Sequence, residues 1–250
     1  MESSFENFQS EFEIYTKNYD EILTRRLKES ITDEEIHYLH RVSVEFQNLD
    51  IKIRLSFGIS EIILNPSFVL EKAADLKFCH LLYYKLADIW FAYETYIKFF
   101  TIVKERRSEK DKIVWIGKEV FQEYAKSPII LKALENANIL FKENFSLERK
   151  KEELLKYLEY CAEQGINRHQ RLRLNEIKLK IDNEFSPLSN VDFLTIIYAI
   201  RNNFVHDGET TISPNNFDFE NKRILLNILY TYFCVFLLNS INITCNNIKK

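Results

Sequence analysis

Three side chains near the end of the chain have the chemistry needed to act on a phosphate ester. Arg201, Asn202 and His206 fall within six consecutive positions. An imidazole exchanges protons near neutral pH, and a guanidinium binds phosphate through a planar fork of donors. An amide beside them can orient either group. These residue types therefore indicate acid–base chemistry on a phosphate, without a metal ion or other cofactor.

The helix predicted to carry these side chains limits how they can meet. Four apolar residues form one stripe along it at helical spacing: Phe193, Ile197, Ile200 and Phe204. Asn202 and His206 share another face, with Asn203 beside them. Arg201 and His206 are about 140° apart on a regular helix, so they are not expected to be direct neighbours. Either the helix loosens at its end while the long arginine reaches round, or a second subunit completes the site.

An Arg–His spacing alone occurs by chance, but here it stands in a specific context. Asn202 follows Arg201 directly, Gly208 follows His206 by two, and a long apolar helix comes last. Together these features resemble the RNxxxH signature of HEPN domains. The resemblance implies a helical bundle and a homodimer in which two such motifs face each other across one cleft. Since the chain has no second Arg–His pair at this spacing, the second motif is expected from another subunit.

The resemblance also implies an activity, metal-independent cleavage of RNA by an endoribonuclease. A ribose 2′-hydroxyl would attack the adjacent phosphate and leave a 2′,3′-cyclic phosphate and a 5′-hydroxyl. His206 would be the general acid or base, and its place at a helix C-terminus favours the protonated form and the acid role. Arg201 would bind the phosphate and stabilise charge on its oxygens, and Asn202 would orient His206 or a phosphate oxygen.

The biological setting implied by the resemblance is that of a toxin-like or antiviral-defence effector in the cytoplasm. HEPN toxins paired with a nucleotidyltransferase antitoxin often carry a Tyr two residues after the His, where this chain has Gly208. That partnership is therefore not expected, and any antitoxin or regulatory partner stays unidentified.

Two alternatives to catalysis remain open at this stage. Arg201 could bond the carbonyl groups at the helix end while His206 caps it. The chain could also be a non-catalytic HEPN-like interaction or nucleotide-binding module. The ribonuclease interpretation requires Arg201 and His206 to line an open cleft, so a buried His206 would argue against it.

A second group of candidate residues could bind the RNA backbone. Basic residues are concentrated in one segment: Arg168, His169, Arg171, Arg173, Lys178 and Lys180. The candidate substrate-binding residues are Asn203, Arg168, Arg171 and Arg173. The alternative for the basic segment is an ordinary solvated helix face paired with Glu176 and Asp182.

Composition predicts an all-α fold, an antiparallel helical bundle with an N-terminal helical extension. The 250 residues include 46% hydrophobic residues but only four Gly and four Pro, which favours long helices and few turns. The net charge of -3 excludes broad attraction to nucleic acid but not a local basic patch. The four cysteines are scattered without a CxxC pair, which predicts buried thiols in a reducing compartment.

Capping signals and helical periodicity divide the chain into helices. We predict helices at about 4–29, 32–63, 67–103, 112–125, 128–141, 146–165 and 167–181, then the motif helix at 191–206 and a C-terminal helix at 217–244. Thr32 and Glu35 form a capping box, and Ser146 and Ser189 or Asn190 are predicted N-caps. Residues 1–65 are expected to pack as an N-terminal helical portion on a HEPN-like core of residues 66–250.

Three further patterns that suggest a function are assigned to ordinary structural roles. The uncharged stretch from Ile224 to Cys245 resembles a membrane span, but its asparagines favour a buried core or dimer-interface helix. Glu34, His37 and His40 fall at metal-ligand spacing, yet no second Glu-x-x-His exists to complete a di-iron site. Aromatic residues of the third helix are assigned to the core rather than to base stacking: Trp90, Phe91, Tyr93 and Tyr96.

Overall fold

The computed structural model describes residues 2–25, 27, 32–63, 73–104, 127–165, 168–206 and 217–248. This part of the chain contains helices and no strand, so the prediction of an all-α bundle is confirmed. The helices are α1 (Glu2–Arg25), α2 (Asp33–Gly58), α3 (Ala73–Val103), α4 (Pro128–Phe145), α5 (Glu148–Gln164), α6 (Arg168–Asp182), α7 (Asn190–His206) and α8 (Phe219–Ile248). The helix predicted at 112–125 and the predicted start of the third helix at residue 67 lie outside the described residues.

Most helix ends follow their local capping signals. The Thr32 side chain accepts a hydrogen bond from the Glu35 backbone N–H at 3.2 Å, as the capping box predicts. Ser146 was expected to cap α5, but it ends α4, and Leu147 precedes α5. Helix α2 stops at Gly58, short of the predicted residue 63. There Lys85 of α3 donates to the Ile59 carbonyl at 3.0 Å, so a contact from another helix helps to end α2.

One continuous apolar core involves all eight described helices. Helix α3 runs through it, packing against α2, α7 and α8. Trp90 of α3 is fully buried, with Tyr198 of α7 and Phe233 of α8 at ring-centre distances of 5.2 and 5.7 Å. Helices α1 and α2 contribute to the same core, since α1 packs on α8 and α2 on α3.

Helix α8 is long and apolar enough to cross a membrane, yet 78% of its most apolar window is buried inside the protein. Two of its buried asparagines face α1. Asn239 and Asn242 both donate to the Glu11 carboxylate, at 3.0 and 2.9 Å, and Asn242 also accepts from Asn18 at 3.0 Å. Glu11 is only 2% exposed, so its carboxylate has lost its hydrogen bonds to water, and the bonds from the two asparagines take their place. The polar seam therefore holds α8 against α1.

Substitution of Asn242 by Ala should test this seam. It removes two donated bonds and one accepted bond around the buried Glu11, so we expect the free energy of unfolding to fall by about 1–3 kcal/mol. Urea unfolding followed by circular dichroism measures the change. Asn247→Ala is the matched control, because Asn247 is an exposed α8 residue that bonds only the carbonyl one turn back. Equal losses in the two variants would contradict a specific role for the seam.

Candidate active site

The start of α7 is held in place by a buried carboxylate. Asp192 accepts from the Ser189 backbone N–H at 2.7 Å and its hydroxyl at 2.8 Å, while its own N–H bonds the Ser189 hydroxyl. Lys180 of α6 donates to the same carboxylate at 2.6 Å. Ser189 is thus one of the two N-caps predicted, and the Lys180 bond ties the start of α7 to the end of α6.

The rest of α7 is surrounded by the core until its last turn. Phe193, Ile197 and Ile200 of the predicted stripe are fully buried. Phe204, the fourth, is half-buried with its ring stacked on Tyr83 at 4.9 Å. By contrast, His206 is exposed. Only the C-terminal turn of α7 is therefore exposed, and it contains His206 of the motif.

Arg201 and His206 meet within one chain, contrary to the expectation from a regular helix. The Nη1 atom of Arg201 lies 3.2 Å from Nε2 of His206, and it also donates to the Asn202 side-chain oxygen at 2.9 Å. The helix remains regular through His206, so the reach of the arginine side chain explains the contact. The geometric reason for requiring a second subunit is thereby removed.

The contact limits the role that Nε2 of His206 takes when the two side chains are hydrogen-bonded. A guanidinium only donates hydrogen bonds, so Nε2 accepts from Arg201 in such a bond. This geometry suits His206 to accepting a proton at Nε2. The acid role expected from the helix C-terminus stays a prediction.

Arg201 is buried without a carboxylate partner among the described residues. It is only 8% exposed, and its guanidinium carbon lies 4.6 Å from the centre of the Phe91 ring. Its Nε atom has no hydrogen-bond partner within the described part of the chain. Burying a charge is unfavourable unless it is paired, so this position favours an anion close to the guanidinium.

The two asparagines of the motif have different environments. Asn202 is half-buried and accepts from Arg201, which places its amide beside the Arg201–His206 contact. Asn203, expected beside Asn202 and His206, instead points into the interior and is 1% exposed. Its Nδ2 atom also lacks a partner in the ranges that the structure describes. Asn203 is therefore enclosed by the protein and not exposed beside His206.

The basic segment divides into paired and exposed cations. Arg168 and Arg171 are exposed on α6, and Arg173 is half-buried. Two lysines at the other end of α6 are already in ion pairs: Lys178 with Glu159 at 3.2 Å and Lys180 with Asp192 at 2.6 Å. Both acidic partners lie on neighbouring helices, α5 and α7. The alternative of a solvated helix face had predicted pairing with Glu176 and Asp182 of α6 itself. The two exposed arginines, Arg168 and Arg171, therefore lie towards the N-terminus of α6.

Phe91 is the residue of the site that sequence reasoning did not find. It was assigned to the core, but its ring supports the Arg201 guanidinium. Such a contact lowers the energy of a cation by about 0.5–2 kcal/mol. It joins residues of two helices 110 positions apart in the chain, and no local pattern in a single sequence reports it.

Comparisons of this chain with protein-family models, with curated proteins and with solved structures found no match.

Proposed function

We propose that the protein is a metal-independent endoribonuclease of the HEPN type, with its site at the C-terminal turn of α7. The observation that carries this proposal is the buried Arg201, which has an unpartnered Nε and contacts the exposed His206. A phosphate group supplies the negative charge that the guanidinium lacks, and it does so beside an imidazole able to move a proton.

In the proposed reaction a phosphodiester of RNA enters between Arg201 and His206. Its oxygens accept from the guanidinium in place of Nε2, which frees that nitrogen. Nε2 then takes the proton from the ribose 2′-hydroxyl as the 2′-oxygen bonds to phosphorus. The bond from phosphorus to the 5′-oxygen breaks, and a proton donor protonates the leaving oxygen. Arg201 stabilises the charge on the phosphate oxygens during this step.

The exposed arginines of α6 are suited to binding the RNA backbone beside this site. The Lys180–Asp192 bond joins the end of α6 to the start of α7, and the two helices contact each other. Arg171 is nine residues before Lys180, and Arg201 is nine residues after Asp192, about 13.5 Å along each helix. In an antiparallel pair these arginines therefore lie at about the same level, but nine residues also turn Arg171 about 180° around α6 from Lys180. Arg171 would therefore bind RNA from the outer face of α6, whereas Arg173, seven residues before Lys180, is on the face towards α7.

The setting that we propose is a toxin-like or antiviral effector in the cytoplasm. The four cysteines, all free and buried, fit a reducing compartment. We further propose that the active form is a homodimer in which two Arg201–His206 pairs face one cleft. The attacking 2′-oxygen and the leaving 5′-oxygen lie roughly in line on opposite sides of the phosphorus, so one imidazole is not placed to serve both, and the second copy would supply the acid.

Loss of His206 should abolish most of the proposed activity. Wild-type protein should cleave single-stranded RNA in EDTA to products with 2′,3′-cyclic phosphate ends, and His206→Ala should lower the rate about 10²–10⁴-fold. Gel analysis of end-labelled RNA gives both rates, and RNA with a single 2′-deoxy position should resist cleavage there. His37→Ala, which removes another exposed histidine, should retain wild-type activity.

Cleavage that persists in His206→Ala would overturn the ribonuclease assignment. If the wild type binds RNA tightly without cleaving it, the chain is instead the non-catalytic binding module.

Arg201→Met should separate stability from ligand binding. Methionine replaces an uncompensated buried charge by apolar atoms, so the Tm of the free protein should stay the same or rise. Saturation of the wild type with uridine 3′-monophosphate, at one hundred times Kd, should raise Tm by about 5–10 °C. The variant should lose that rise. Differential scanning fluorimetry at constant ionic strength measures both, with the exposed Arg149→Met as control.

A large fall in the Tm of free Arg201→Met, or a nucleotide response equal to that of the wild type, would contradict a phosphate-binding role for Arg201.

A composite dimer site should make the His206→Ala chain inhibitory. After mixing and subunit exchange, most wild-type chains are paired with a variant chain that lacks the proposed acid. Activity per wild-type chain should therefore fall steeply as variant is added in excess, and sedimentation equilibrium should report a dimer. Activity that stays constant per wild-type chain would show that each chain acts alone.

A further inference from the structure

An aromatic cluster lies beside the motif, on the α3 side of Phe204. The Phe204 ring stacks on the buried Tyr83 and has Tyr84 and His80 edge-on at 5.3 and 5.7 Å. Tyr84 and His80 are themselves edge-on to each other at 5.1 Å. Three rings therefore hold Phe204 in place, and Phe204 and His80 together fix the orientation of Tyr84.

Tyr84 is the member of this cluster that reaches solvent. It is 45% exposed, whereas Tyr83 is 1% exposed. Because its contacts with His80 and Phe204 are both edge-to-face, at 81° and 86°, its orientation is constrained from two sides. A tyrosine ring that is held by its neighbours and yet exposed offers a binding surface at low cost in conformational entropy.

Helix geometry places this ring close to the phosphate site. Tyr84 and Phe91 are seven residues apart on α3, which is two turns along one face, or about 10.5 Å. The Arg201 guanidinium lies over Phe91. On α7, Phe204 follows Arg201 by three residues, so the two side chains are neighbours on that helix. The exposed ring and the exposed end of α7 beside the Arg201 guanidinium are therefore close to each other, separated by roughly one or two nucleotides of RNA.

We propose that Tyr84, supported by His80, stacks on the nucleobase next to the phosphate that Arg201 binds. This inference rests on the proposed ribonuclease function and assigns a base-binding subsite to it. A single fixed aromatic ring beside a phosphate site suits a base, since every base has a flat face and stacks on tyrosine without sequence preference. Burial lowers the pKa of His80, so its ring stays uncharged beside the stacked base at neutral pH.

The subsite should contribute to substrate binding and not to the chemical step. Tyr84→Leu keeps an apolar side chain against Phe204 but removes the stacking face. It should weaken binding of a 12-nucleotide 2′-O-methyl adenosine RNA, which cannot be cleaved, about tenfold. In the cleavage assay KM should rise by a similar factor while kcat stays within twofold.

Two further variants make the experiment specific. Tyr84→Trp retains a stacking ring and should bind the RNA at least as tightly as the wild type. Phe78→Leu removes another exposed aromatic of α3, 56% exposed and about 120° away around the helix, and should leave binding unchanged. Quenching of 2-aminopurine placed at successive positions of the RNA should locate the stacked base. It should disappear in Tyr84→Leu alone.

The outcomes separate the two proposals. If the wild type binds and cleaves RNA but Tyr84→Leu matches it in binding and in KM, the base subsite is wrong and the ribonuclease stands. If the wild type neither binds nor cleaves RNA, both proposals are wrong. A Tyr84→Leu variant that loses kcat with unchanged KM would also overturn the subsite, because that pattern is not one of lost base binding.

Discussion

A helix that is apolar on every side is stable only inside the protein, and this constraint organises the described bundle. Helix α8 is buried against α1, α3 and α4, with Asn239 and Asn242 bonded to Glu11 of α1. Helix α7 is equally enclosed up to its last turn. The exposed residues of α7 are therefore confined to its C-terminal end, where His206 is exposed. Arg201, the other candidate catalytic residue, contacts His206 at that end. Burial of the two helices thus determines the position of the candidate site.

The same burial leaves Arg201 in an energetically unfavourable position. Isolating a cation from water costs several kcal/mol, whereas a cation–π contact such as that with Phe91 returns about 0.5–2 kcal/mol. The Asn202 oxygen adds one bond to Nη1 but leaves Nε unpartnered among the described residues. The apolar face of α7 supplies the stability that holds the arginine there. A local arrangement that opposes folding, supported by a well-packed core, is typical of a binding site.

Features encoded within a few residues were predictable, and features that depend on other helices were not. The Thr32 cap, the α7 stripe and the all-α class follow from local spacing and composition. The early end of α2 depends on Lys85 of another helix, and the support beneath Arg201 depends on Phe91. The Arg201–His206 contact is local in sequence but was not predicted. The separation of about 140° describes the directions in which the two side chains leave the helix, and it does not include the length of the arginine side chain. Asn203 was misplaced for a related reason, because neighbouring helices decide which side of α7 is inside.

Proton balance gives a stronger reason for a second subunit than helix geometry did. In the proposed cleavage, His206 acts as a base through the Nε2 atom that contacts Arg201, and the leaving oxygen also requires an acid. Arginine does not release a proton in this range. His80 adjoins the motif through Phe204, but its burial lowers its pKa and disfavours the charged form that an acid needs. Neither Arg201 nor His80 of the described chain is therefore suited to the acid role. In the proposed homodimer, phosphate oxygens that replace Nε2 as acceptors from Arg201 would allow the second His206 to be protonated and to serve as that acid.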